Sequence, residues 1–115
     1  MFDYSLQCIS GYKPENVQVK QHVSSFNISW QPPDVIPSKI VSYAIRYKLA
    51  SDAAYTAVTL DAMMSYFLLP TYPHFGRLYE IEMYANYWSG RGEPIGPIQT
   101  RAGMRLLYYG TIKMT

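Results

Sequence analysis

No stretch of this chain keeps apolar residues at helical spacing for longer than about ten residues. Proline recurs at positions 14, 32, 33, 37, 70, 73, 94 and 97. Inside a helix each would remove a hydrogen bond and clash with the preceding turn. A helical domain is therefore excluded. Between the prolines, apolar residues alternate with period two, as in strands with one face in a core. NVQVK sets Val17 and Val19 on one face, and SFNISW sets Phe26, Ile28 and Trp30 against Asn27 and Ser29. IVSYAIRYK groups Tyr43, Ile45 and Tyr47 opposite Arg46 and Lys48. AYTAVTL is a weaker strand, and SYFLLP gives Tyr66 and Leu68 as its expected inward pair. LYEIEMYAN alternates most clearly, with Tyr79, Ile81, Met83 and Ala85 inward and Glu80, Glu82 and Tyr84 outward. PIGPIQTR, with its prolines, reads as a final edge strand. Seven short strands between turn signals point to an all-β, antiparallel β-sandwich.

A chain of 115 residues supports one domain. Its 16% charged and 49% apolar residues are a globular composition. The net charge of +2 is small and scattered, which argues against nucleic acid. No apolar run approaches the roughly 20 residues that span a bilayer, so no membrane insertion is expected in this segment. MFDYSLQC lacks a basic start followed by an apolar stretch, so no signal peptide is expected in it. Cys8 is the sole cysteine, and no intrachain disulfide can form. CISGY resembles the last cysteine of a small disulfide-rich module, whose partner would lie upstream; the alternative is a lone thiol in a leader. The segment AGMRLLYYGTIKMT is too apolar for an inert linker. It would start a further domain, fold back on this one, or self-associate by adding a strand to another chain.

Outward Arg46 and Lys48 on one strand and Glu80 and Glu82 on another would form a cross-strand charge ladder if the strands are neighbours. Asn27-Ile28-Ser29 is an N-glycosylation sequon on the outward side of its strand. WSGRGEP reads as a glycine-rich hairpin turn, with Gly90 and Gly92 supplying positive φ and Trp88 exposed at its base. No catalytic set is visible. His22 and His74 are isolated, no glycine loop suits a phosphate, and Glu80 and Glu82 face outward rather than into a cleft. Neither an enzyme nor a cofactor is expected.

Five pieces occur in a telling order: PENVQV, NISWQPP, IVSYAIRYK, LYEIEMYAN and SGRGEP. Together they resemble a fibronectin type III domain, an immunoglobulin-like sandwich, from about Pro14 to Arg101. The resemblance implies a leader over 1–13, the domain over 14–101 and a tail or next module over 102–115. It implies Trp30 in the space between the sheets and Tyr79 as a corner tyrosine that hydrogen-bonds back to the preceding loop; Tyr43, inward by the alternation of its strand, is the third residue expected in the structural core. LLPTYPHFGRLY is about two residues longer than the usual link to that tyrosine, and Phe75 is expected to replace a missing leucine plug. Some members carry an integrin-binding Arg-Gly-Asp in the loop matching WSGRGEP; Glu93 in the third place argues against that here. The cytokine-receptor Trp-Ser repeat is only half present.

The implied role is spacing and protein–protein recognition in the extracellular part of a cell-surface receptor or adhesion protein. The partner is a protein, with contacts expected at Arg46, Lys48, Glu80, Glu82, Tyr84, Trp88 and Arg91, and at the loop end from Asp34 to Lys39. Two rivals remain: an intracellular module of a muscle or cytoskeletal protein, and an accessory module of a secreted carbohydrate-active enzyme. A glycan on Asn27 would disfavour the first. A platform of coplanar exposed aromatics would favour the second.

Overall fold

The structure, a computed structural model, describes residues 12–36 and 38–103. Cys8 and the tail from residue 104 onward lie outside the described residues, as do the expectations attached to them.

Eight strands follow one another: β1 (Glu15–Gln21), β2 (Ser25–Gln31), β3 (Ile40–Leu49), β4 (Thr56–Asp61), β5 (Tyr66–Pro70), β6 (Leu78–Tyr87), β7 (Gly90–Arg91) and β8 (Ile95–Arg101). They form two antiparallel sheets, β1-β2-β5 and β4-β3-β6, with β7 and β8 both paired to the free side of β6. The eighth strand arises because the last strand is interrupted. Pro94 has no N–H to donate. At Gly96, φ is +113° and a Cβ would lie 2.7 Å from Ile81 O. The break between β7 and β8 falls at residues 92–94, and within β8 the ladder slips once more between Ile95 and Ile98, around Gly96.

Alternation places the core as the sequence indicates on four of the strands, β1, β2, β3 and β6. Phe26, Ile28 and Trp30 from β2 meet Tyr43 and Ile45 from β3 and Tyr79, Ile81, Met83, Ala85 and Tyr87 from β6. Val17 and Val19 of β1 pack on their margin. Aromatic edges cross the sandwich: Phe26 on Tyr79 at 5.3 Å and 89°, and Trp30 on Tyr43 at 5.5 Å and 58°. Each fully buried apolar side chain contributes about 1.5–3 kcal/mol.

Strand β5 is reversed relative to expectation. Tyr66 and Leu68 face solvent, while Leu69 is buried and Phe67 packs on the core. The cause is its register on β2, which sets Leu69 opposite Phe26 and Phe67 opposite Ile28, both core residues. With a side-chain period of two, that pairing fixes the faces.

The corner before β6 also differs. Phe75 is half-buried and meets exposed Tyr72 edge to face, 5.6 Å away, instead of plugging the core; Thr71 is the buried residue. Main-chain bonds hold this corner: Thr71 N to Ser24 O (2.9 Å), His74 N to Thr71 O (2.7 Å) and Ala102 N to Arg77 O (2.8 Å). Tyr79 contributes its buried ring, edge-on to Phe26. The packed structure also reaches into both expected flanks. Tyr12 lies edge-on to Tyr87, and Ala102 is buried in the core.

Candidate functional site

Strand β6 pairs with β3 so that Glu82 stands opposite Arg46 and Glu80 opposite Lys48. The charges meet: Arg46 Nη1 is 3.0 Å from Glu82 Oε1, and Lys48 Nζ is 3.6 Å from Glu80 Oε1. Tyr55, from the β3–β4 loop, closes over both cations. Its ring centroid lies 4.4 Å from the Arg46 guanidinium carbon and 5.4 Å from Lys48 Nζ. Its hydroxyl donates to Glu80 Oε1 at 3.4 Å, and Gln99 Nε2 donates to Glu80 Oε2 at 3.1 Å. Crowding against the ladder, then the Glu82 and Glu80 carboxylates, push the Tyr55 phenol upward. One step further along, Arg91 stacks over Tyr84 at 4.5 Å. Six of the expected contact residues thus form one continuous stripe, in which Arg46 and Lys48 are paired with Glu82 and Glu80 within the domain. A partner would have to displace these contacts, each exposed pair of which stabilises by only about 0–1 kcal/mol.

The WSGRGEP stretch is a tight turn. Trp88 and Ser89 join β6 to β7, with Tyr87 paired to Gly90. Gly90 has φ +146°, outside the range side chains adopt readily. Gly92 has no positive φ; it is needed for close approach. A Cβ there would lie 2.8 Å from Tyr12 O and 2.9 Å from Ala85 O. The turn is fastened to the β2–β3 loop through Trp88 N to Lys39 O (2.9 Å) and Ser89 N to Ser38 Oγ (3.0 Å). The Trp88 side chain is left 84% exposed.

Trp88 does not stand alone. With Lys39, Ile40, Val41, Ala62 and Met63 it lines an open, mainly apolar groove at this end of the β4-β3-β6 sheet. Met63 is 90% exposed, in a turn held by Met63 N to Asp61 Oδ1 at 2.8 Å, and Val41 is more than half exposed. Sequence reasoning named Trp88 and the Asp34–Lys39 loop but missed Met63, Val41 and Tyr55. The two methionines in the turn DAMMS were the available signal, since apolar side chains gain nothing in a solvated turn. Nothing in the sequence placed Tyr55 over the ladder.

Asn27 sits on the outer face of β2, between Lys20 and Leu68 on the flanking strands. Trp30, Tyr43 and Tyr79 are all buried. Among the described residues the exposed aromatics Tyr66, Tyr72 and Trp88 fall on β5, on the β5–β6 loop and on the β6–β7 turn, so they form no common platform. Among the described residues no three His, Cys, Asp or Glu side chains converge on a metal position, and no helix is long and apolar enough to cross a membrane.

No family model matches the sequence, and no curated protein matches it. Solved structures do match. The fn3 domain of the human collagen alpha-1(XX) chain is 21% identical over 88% of this chain and 94% of that one, with a TM-score of 0.70. A structure described as a myokine is 16% identical, covering 82% of this chain and 99% of that one, with a TM-score of 0.67. The FN1–FN3 domains of chicken CNTN1 are 26% identical over 78% of this chain and 31% of that longer one, with a TM-score of 0.66.

Proposed function

Because the chain has the fibronectin type III fold, we propose that it is a non-catalytic interaction and spacing module in the extracellular part of a larger protein. Its contact surface is the Trp88 end, not the charged stripe. The observation that carries this reading is the contrast between the two surfaces. The stripe's cations and carboxylates are already paired, whereas Trp88, Met63 and Val41 offer contiguous apolar area to solvent. Burying apolar area drives association, and tryptophan is a frequent energetic anchor. Lys39 rims the groove and is exposed. The surface therefore suits a protein segment with an apolar ridge and a carboxylate placed to meet Lys39. The collagen chain among the structural neighbours supports the extracellular setting.

The test is binding of a multivalent display of the domain to a panel of intact cells. Specific binding is expected. It should fall at least tenfold in a Trp88→Ala, Met63→Ser variant and persist in an Arg46→Glu, Glu82→Arg swap. Binding that survives the first variant, or is lost only in the second, overturns the assignment of the surface.

A further inference from the structure

The outer face of the β1-β2-β5 sheet carries two large apolar side chains in the open. Leu68 is 53% exposed and Tyr66 55% exposed, both on edge strand β5. The register places Leu68 directly opposite Asn27 and Tyr66 directly opposite Ser29. The two residues of the sequon that matter chemically are thus the immediate neighbours of the two exposed apolar residues. Directly opposed side chains stand about 4.5–5.5 Å apart and diagonal ones about 7–8 Å, within the span of one or two sugar rings. Asn27 is half-buried, and its Oδ1 is enclosed without a hydrogen-bond partner. A glycan would be carried on the other atom of that amide, Nδ2.

We propose that Asn27 carries an N-linked glycan whose first sugars lie over Leu68 and Tyr66 and cover this sheet face. Transfer comes from a lipid-linked oligosaccharide pyrophosphate. Nδ2 forms a bond to the anomeric carbon and releases one proton. The anomeric C–O bond breaks, and the lipid pyrophosphate leaves with the electron pair. Sugar rings present C–H faces that pack on a leucine and an aromatic ring, while their hydroxyls face water. The glycan therefore does for this face what a neighbouring sheet would do, without closing off the opposite sheet where Trp88 lies. This inference rests on the extracellular reading above.

The experiment adds a secretion leader to the chain, exports it from cultured animal cells, and combines peptide mass analysis with hydroxyl-radical labelling of side chains. Asn27 is expected to be occupied, to lose its glycan in Ser29→Ala and to keep it in Ser29→Thr. Labelling of Leu68 and Tyr66 should be at least threefold lower in the glycosylated chain than in Ser29→Ala. It should also rise when an endoglycosidase trims the unmutated chain. Trp88 labelling should not change. A bare Asn27 in the exported chain overturns the proposal, as does equal labelling with and without the glycan; both leave Trp88-dependent docking standing. Loss of that docking with Asn27 occupied overturns the interaction reading and leaves this one.

Discussion

Arg46 and Glu82 face each other across β3 and β6, 3.0 Å apart, beneath the ring of Tyr55. The pair is part-buried, so solvent screens it less than a fully exposed one. A double-mutant cycle on Arg46→Ala and Glu82→Ala should give a coupling of about 0.5–1 kcal/mol, measured by urea unfolding. Repeating the cycle in Tyr55→Ala should lower it, because the ring both contacts the guanidinium and keeps water from the pair. A coupling of zero in both backgrounds would mean that the stripe holds nothing together.

The two adjacent leucines of β5 should behave in opposite ways. Leu69→Ala removes a buried side chain opposite Phe26 and should destabilise by about 2–5 kcal/mol. Leu68→Ala, on the solvent face, should change stability by less than about 0.5 kcal/mol. Chemical denaturation of the two variants decides it; equal losses would contradict the register.

That pair also shows where sequence reasoning reached its limit. β2, β3 and β6 were legible because each alternates cleanly, with Asn27, Arg46 or Glu80 forced outward by charge or polarity. SYFLLP has no polar residue inside the strand after Ser65, so its own pattern does not choose a face. The choice is made by β2, which is distant in sequence. The same holds for the candidate surface. Trp88 was visible as an apolar residue beside a glycine turn. Its groove partners come from elsewhere, Val41 from the start of β3 and Met63 from the turn after β4, and only the pairing of β3 with both β4 and β6 brings them together. Gly92 was visible as a glycine, but the reason for it was not: its neighbour Tyr12 lies 80 residues earlier in the sequence.

Gly92→Ala should therefore destabilise more than a turn glycine of ordinary φ would. The new methyl would meet two main-chain oxygens at 2.8 and 2.9 Å, and neither can swing aside as a flexible side chain could. The strand must shift, at roughly 1–3 kcal/mol. It should also loosen Tyr12 from Tyr87, visible as faster amide exchange at Tyr12 and Lys13. A thermal midpoint unchanged within error would show that the approach is not tight.

Three buried phenols set the response to alkali. Burial pushes Tyr87 up to about 12, with Tyr43 and Tyr12 adding to it, and burial likewise raises Tyr43 and Tyr79 above the ordinary value of 10. The folded state therefore holds these protons more tightly than the unfolded chain does. Their contribution to stability is complete below pH 10 and is lost as the pH rises toward 12. Unfolding free energy should be flat in the range about 7 to 9 and fall steeply between about 10 and 12. The contributions of Tyr87 and Tyr43 can be separated by substitution. Tyr87→Phe loses the hydroxyl's bond to Tyr12 O and should destabilise by about 0.5–1.5 kcal/mol at neutral pH, while flattening the alkaline fall. Tyr43 Oη is buried with no partner. Tyr43→Phe removes an unpaired polar atom from the core, so it should leave neutral-pH stability unchanged or raise it by up to about 1 kcal/mol while also flattening the fall. If Tyr43→Phe destabilised as much as Tyr87→Phe, the hydroxyl of Tyr43 would have to be satisfied by a group packed against Trp30.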